Sequence, residues 1–207
     1  MKLNRLLTNE DREYYKPLID KMKMLCPEMM SRKISLANVQ QSFVLETVLG
    51  EIKLKPEAEI LCVGSFEDTA CEALKVMGVK VTEIDPDINM DLRTFVESSN
   101  KFFDLIFSTS VIEHVKDDTQ FIKDICLLLK PKGLAILTYD FNNDYKEGDK
   151  LPYSDERFYT KLTLGKFRTL IGKFFCKLVD NPDWDGEPDF THDGCNYSFG
   201  TFVFRRK

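Results

Sequence analysis

From Lys55-Pro56 onward the chain alternates short apolar runs with amphipathic stretches, and this alternation limits the possible folds more than any other feature. "EILCVG" reads as a short buried strand, and a helix follows over about 69–77. "KVTEID" is a second strand, ending at Asp85-Pro86, and "FFDLIFSTS" is a third. "DDTQFIKDICLLLK" places Phe121, Ile122, Ile125, Leu128 and Leu129 on one helical face, and Asp117 or Asp118 suits its cap. Pro131-Lys132-Gly133 supplies a turn into the strand "LAILTYD". Such βαβα order predicts a mainly parallel sheet covered by helices on both faces. With 207 residues the chain fills one good core and leaves little room for a second. One domain over 1–207 is therefore expected.

The flanks divide around that core. Residues 10–26 and 35–51 read as two amphipathic helices, the second with Leu36, Val39, Phe43, Val44 and Val48 at helical spacing. Residues 1–55 are expected to form a helical lid over a ligand-binding core at 56–140. Asn38, Gln41 and Ser42 interrupt the apolar positions and face either the ligand or solvent. After Asp140, "FNNDYKEGDKLPYSDERFYT" is polar with scattered aromatics, a long excursion over the ligand edge of the sheet. A helix over about 163–174, opened by Thr163, leads to two closing strands, "CKLVDNPDW" and "NYSFGTFVFRRK", expected to be antiparallel. Residues 141–207 thus form the substrate-side loop and the closing strands.

Bulk numbers exclude several classes. A net charge of −5 disfavours a nucleic-acid partner, because duplex binding needs a basic surface. No apolar run approaches the roughly 18 to 20 residues that span a bilayer, and "MKLNRLLTNEDREYYK" lacks the apolar segment of a secretory signal. The six cysteines form no CxxC pair and lie mostly in apolar stretches, which fits reduced core residues of a cytoplasmic protein. His192 and Cys195 in "THDGC" are too few to make a metal site, and none is expected.

In an open α/β sheet, ligands bind beyond the carboxyl ends of the strands. The residues there are Gly64 to Asp68, Asp85, Asp91, Ser108 to His114, and Tyr139 to Asp140. The first loop, Gly64-Ser65-Phe66-Glu67-Asp68, carries one glycine and two acids where a pyrophosphate-binding turn needs glycines and no negative charge. A cationic ligand suits it better. S-adenosylmethionine (SAM) has a sulfonium and an ammonium and no phosphate. The alternative is local: Asp68 or Thr69 caps the next helix, with Thr69-x-x-Glu72 as a capping box. Asp85 ends the second strand 21 positions after Gly64, the place of an acid that accepts from ribose hydroxyls; an Asp-Pro turn is the alternative. Asp91 suits an adenine amino group or a simple loop role.

"FDLIFSTSVIEHV" is the most specific segment. Phe103-Asp104-Leu105-Ile106, Ser108, Val111-Ile112-Glu113-His114-Val115 and Leu129-Lys130-Pro131-Lys132-Gly133 match, in order and spacing, the pattern of class I SAM-dependent methyltransferases of the small-molecule branch. The chain resembles that family over about residues 56–140. The resemblance implies a Rossmann-like, mainly parallel seven-stranded sheet with an antiparallel C-terminal strand. It also implies SAM as cofactor. The loop at Gly64 would cradle the methionine part, Asp85 would hold the ribose and Asp91 the adenine amine, with Ser108 to Ser110 as the floor beneath the methyl. The departure lies in the first loop. Cys62 stands where the family usually has an acid, and Phe66 and Asp68 replace its second and third glycines. The expectation is a loop rebuilt around the same ligand.

The expected reaction is direct in-line methyl transfer to a small-molecule acceptor. His114 sits beside the expected donor and either takes a proton, orients the nucleophile or packs structurally. Glu113 is equally open. Asp140, directly after a strand, is the second candidate base. Tyr139, Arg157 and Tyr159 are the candidate acceptor contacts, since aromatic faces suit ring faces and polar groups suit hydroxyls. The "GSFEDTA" loop and the "NPDWDG" ending resemble methyltransferases of bacterial surface-polysaccharide synthesis, which implies a sugar hydroxyl. Two rivals stand beside this reading: a SAM-binding module without turnover, and a nicotinamide-dependent enzyme on a related sheet. Oligomeric state is not legible.

Overall fold

The computed structural model describes residues 2–207. Its core is the expected βα alternation: β2 (Ile60–Val63), α4 (Thr69–Val76), β3 (Thr82–Ile84), α5 (Leu92–Ser98), β4 (Phe103–Thr109), α6 (Asp118–Leu128) and β5 (Leu129–Phe141). Ahead of it lie β1 (Leu6–Leu7), α1 (Asn9–Leu25), α2 (Pro27–Ser31) and α3 (Asn38–Leu54); after it come α7 (Lys161–Lys173), β6 (Cys176–Leu178), β7 (Phe190–His192) and β8 (Cys195–Arg206). The strand order is β1-β8-β5-β4-β2-β3. The pairs β3–β2, β2–β4 and β4–β5 are parallel, and β8 runs antiparallel to β5. The closing strands are antiparallel as expected, with Cys176–Leu178 opposite Phe204–Arg206. The sheet has eight strands, one more than expected; β1, β6 and β7 are segments of two or three residues paired to β8.

Side-chain alternation divides the core. Leu61, Val63, Ile106, Ala135 and Leu137 face α5, α6 and α7, while Ile60, Cys62, Leu105, Phe107, Leu134 and Ile136 face α1, α3 and α4. A period of two is what a sheet buried on both faces demands. The N-terminal helices therefore do more than roof the ligand edge: α3 buries Val39, Phe43, Val44, Leu45 and Val48 against one face of the sheet. Leu36 falls outside this stripe and is exposed, because a 3₁₀ turn at Ser35–Ala37 shifts the phase before α3 begins.

Three local expectations change. Pro131-Lys132-Gly133 is a bulge inside β5, not a turn before it: the register jumps from Phe103 opposite Leu129 to Leu105 opposite Leu134. Helix α7 is capped by Thr160, whose side chain accepts from the Thr163 N–H, so Thr163 is the reciprocal partner. The strand expected in "CKLVDNPDW" stops at Leu178. Trp184 instead stacks on Phe202 at 6.0 Å and donates to the Thr201 carbonyl at 3.0 Å. All six cysteines are free and buried, and no helix of the described residues is long and apolar enough to cross a membrane.

Candidate active site

A cleft of about 890 Å³ opens at the carboxyl ends of β2, β3 and β4, within the size range of small-ligand sites. Gly64 sits at its base with φ +76°, and a Cβ there would lie 2.3 Å from Val111 Cγ2. Only glycine allows both that left-handed backbone and that approach. The Phe66 N–H donates to Asp85 Oδ2 at 3.0 Å, and the Asp87 N–H donates to Asp85 Oδ1 at 2.8 Å. Asp85 thus ties the loop after β2 to the loop after β3, and each oxygen keeps a lone pair for a ligand. Phe66 is exposed on the cleft wall, while the buried Ser65 hydroxyl has no partner.

The two loop acids separate. Glu67 turns to Arg32 at 2.7 Å and Lys33 at 3.4 Å, so its charge is spent on the end of α2. Asp68 does cap α4, accepting from the Cys71 N–H at 2.7 Å, and it also lines the cleft. Its Oδ2 is buried without a partner, and burial raises its pKa. The loop therefore presents one acid to a ligand where the sequence suggested two. The cleft as a whole still favours a cation: its walls hold Glu67, Asp68, Asp85, Asp87, Asp91, Asp117 and Asp124 against Arg32, Lys33, Arg93 and His114. Asp91 stands at the rim as the cap of α5, with Oδ1 accepting from the Thr94 N–H and Oδ2 from its hydroxyl.

On the far wall, Thr109, Ser110, Val111, His114 and Val115 face the cleft. Ser108 lies beneath them, buried and off the wall. Helix α3 contributes Asn38, Gln40 and Gln41, and Gln41 accepts from the Ala70 N–H at 2.8 Å. Ser42 instead packs on Met22 sulfur at 3.7 Å. His114 Nδ1 is held by Asp155 Oδ1 at 3.1 Å and by the Ser154 carbonyl at 3.2 Å. The Asp155 hydrogen bond lifts the His114 pKa to about 9. Burial lifts Glu113 to about 7 and raises Asp140 well above the carboxylate range.

Besides Ser65 and Ser108, four candidates do not line the cleft. Tyr139 is buried in the core with its ring edge-on to Tyr159, and its hydroxyl donates to the Thr201 carbonyl. Tyr159 is fully buried and donates to the Ile112 carbonyl at 3.1 Å. Arg157 fastens the loop before α6 through the carbonyls of Val115 and Lys116. Asp140 lies behind the wall because β5 continues one residue beyond it, pairing Phe141 with Ser198. Gln40, Asp155 and Tyr197 were not singled out by sequence. Gln40 sits among apolar residues of α3, and nothing in the polar excursion marks Asp155 above its neighbours.

These shifts fix a pH dependence. Glu113 and His114 both bind protons more tightly folded than unfolded, so their stabilisation is full below about pH 4.5 and 6.5 respectively and is lost as pH rises through about 7 and 9. Asp104, held at about 2 with Lys130 and Lys55 on its carboxylate, acts only in acid. Thermal stability is expected to fall between about pH 4.5 and 9, and Glu113→Gln is expected to flatten the lower half of that fall. The buried Glu113, displaced from 4.5 to about 7, accounts for at most about 3 kcal/mol of it. Melting curves across this range, with a rise instead of a fall in the wild type, would reject the assignment.

Residues 39–177, more than half of the chain, match the methyltransferase-domain family. The ubiquinone biosynthesis O-methyltransferase of Rickettsia canadensis (strain McKiel) is 27% identical over 118 residues. The match covers 48% of this chain and 50% of that protein, so the chain spans about half the length of this curated relative. Among solved structures, the 1,6-didemethyltoxoflavin-N1-methyltransferase of Burkholderia thailandensis, with 1,6-didemethyltoxoflavin and S-adenosylhomocysteine bound, aligns at TM-score 0.55 and 15% identity, over 95% of this chain and 90% of that one. Magnesium protoporphyrin IX methyltransferase of Synechocystis PCC 6803 aligns at TM-score 0.51 and 10% identity, over 95% and 98%. The fold is that of solved methyltransferases, and by the family match the chain belongs to the class I SAM-dependent methyltransferases.

Proposed function

We propose that the cleft binds SAM and that the chain methylates a small-molecule acceptor, a sugar hydroxyl in the narrower form of the proposal. The observation that carries it is Asp85, at the tip of β3 and tied to the Gly64 loop, in a cleft with seven carboxylates and four basic side chains, His114 included. That balance suits a sulfonium and an ammonium and opposes a pyrophosphate, which disfavours the nicotinamide alternative. The buried, partnerless oxygens of Asp68, Thr109 and Gln40 on the cleft wall suit donors or acceptors that a bound ligand supplies.

In this reading Gly64, Ser65, Phe66 and Asp68 surround the methionine part, Asp85 accepts from the ribose hydroxyls, Asp91 keeps lone pairs for the adenine amine, and Ser110 forms the floor. SAM supplies an electrophilic methyl that leaves with inversion, so alignment of donor and acceptor gives much of the rate, with effective molarities on the order of 10⁵ to 10⁸ M. His114, cationic near neutrality, serves as a hydrogen-bond donor to the acceptor oxygen and not as its base. Transfer of labelled methyl from SAM to a panel of sugar glycosides, nucleotide sugars, catechols and amines tests the proposal. Label on a sugar hydroxyl supports it. Label only on an amine or phenol refutes the sugar acceptor, and tight SAM binding with no transfer favours the non-catalytic module.

A further inference from the structure

A chain of polar groups leads from the cleft into the protein. Gln40 Nε2 donates to Ser110 Oγ at 3.2 Å, and Ser110 Oγ donates to Glu113 Oε1 at 2.8 Å. Gln40 and Ser110 line the cleft; Glu113 is fully buried. Behind it the Asp140 carboxyl faces that of Glu113 and the Tyr197 hydroxyl. Glu113 Oε2 and Asp140 Oδ1 are both buried without a hydrogen-bond partner of their own. Two facing carboxyls with orphaned oxygens are satisfied together by one shared proton, whereas two bare carboxylates would repel. Ser110 has φ +55°, a left-handed backbone that a serine adopts at a cost of about 1 kcal/mol or more, and such strain gathers where function needs a side chain in one place.

We propose that Glu113 is the proton acceptor of the reaction, receiving through Ser110 the proton that a hydroxyl acceptor releases. The inference rests on the methyl-transfer reading. As the acceptor oxygen forms its bond to the methyl carbon, the methyl–sulfur bond breaks and its electron pair stays on sulfur. The acceptor proton passes to Ser110 Oγ, and the Ser110 proton passes to Glu113. The Glu113–Asp140 pair holds one proton before the step and two after it. The charged and titratable groups around Glu113 are His114 beside it, Asp155 and Tyr159 from the excursion, Asp140 from β5 and Tyr197 from β8. The His114–Asp155 pair is nearly neutral as a unit, so Glu113 carries the net negative charge that methyl transfer neutralises. Glu113 works through Ser110 and is a positioning residue in that sense.

The test compares sinefungin, whose amine puts a cation where the methyl-bearing sulfonium sits, with S-adenosylhomocysteine, which is neutral there. In the wild type the preference for sinefungin is expected to grow about three- to tenfold between about pH 6 and 8, as Glu113 ionises. In Glu113→Gln it is expected to stay flat, and in Ser110→Gly, which relieves the backbone and keeps the carboxylate, to persist. On any hydroxyl compound of the panel that turns over, Glu113→Gln and Ser110→Gly are both expected to lower kcat about 100-fold or more, with little change in the KM for SAM. A flat preference in the wild type, or an unchanged rise in Glu113→Gln, overturns the inference alone. Failure of both ligands to bind at any pH overturns the methyl-transfer reading, and the inference with it.

Discussion

Asp85→Ala is expected to abolish stabilisation by S-adenosylhomocysteine while leaving the protein folded. Ligand at about 100 times its dissociation constant adds roughly 2.7 kcal/mol to the wild type, a rise of about 5 to 10 °C for a chain of this size. Removing the carboxylate does two things. It deletes the acceptor for ribose hydroxyls, and it frees the N–H groups of Phe66 and Asp87 that shape the loops on either side. Both N–H groups can turn to water at the cleft edge, so the cost to the apo protein stays near 1 kcal/mol. Differential scanning fluorimetry of the two proteins reads both numbers. A ligand shift that survives in Asp85→Ala would show that the ribose is held elsewhere.

Gly200→Ala is expected to destabilise the fold by about 2 to 4 kcal/mol, far more than an added methyl normally does. A Cβ at Gly200 would sit 2.4 Å from Tyr139 Cε2 and 2.6 Å from Cζ. The Tyr139 ring is wedged edge-on against Tyr159, and its hydroxyl is tied to the Thr201 carbonyl at 3.3 Å, so it has no free direction of retreat. Tyr139→Leu costs stability by itself, but it should remove most of the penalty of Gly200→Ala in the double variant. Denaturant melts of the four proteins form the cycle. Simple additivity would mean that the ring yields without cost.

The same pair shows where sequence reading reached and where it stopped. The alternation from "EILCVG" to "LAILTYD" fixes element type because each strand is buried on both faces and each helix on one. Gly64 and Asp85 come to one cleft because they follow strand ends directly, and His114 reaches it from the 3₁₀ turn after β4. Tyr139 and Asp140 looked equivalent to them, being at the end of an apolar run. They are not, because β8 carries the ladder on to Phe141 and buries both residues, on opposite faces. That depends on a partner strand some 60 positions away, which local periodicity does not report. Glu67 misled for a similar reason: its partners, Arg32 and Lys33, lie in the turn after α2, and a charge balance for the loop alone left them out. Asp155 and Tyr197 are long-range neighbours of Glu113 and Asp140, and neither stands in a motif.

The central claim is that this cleft is shaped and charged for an adenosyl amino acid and not for a dinucleotide. Titration calorimetry of the wild-type chain with S-adenosylhomocysteine and, separately, with NAD tests it most directly. The structure predicts saturable one-to-one binding of S-adenosylhomocysteine, with a dissociation constant in the micromolar range or below, about −8 kcal/mol or stronger, and no measurable heat with NAD. Binding of NAD with no response to S-adenosylhomocysteine would contradict the account.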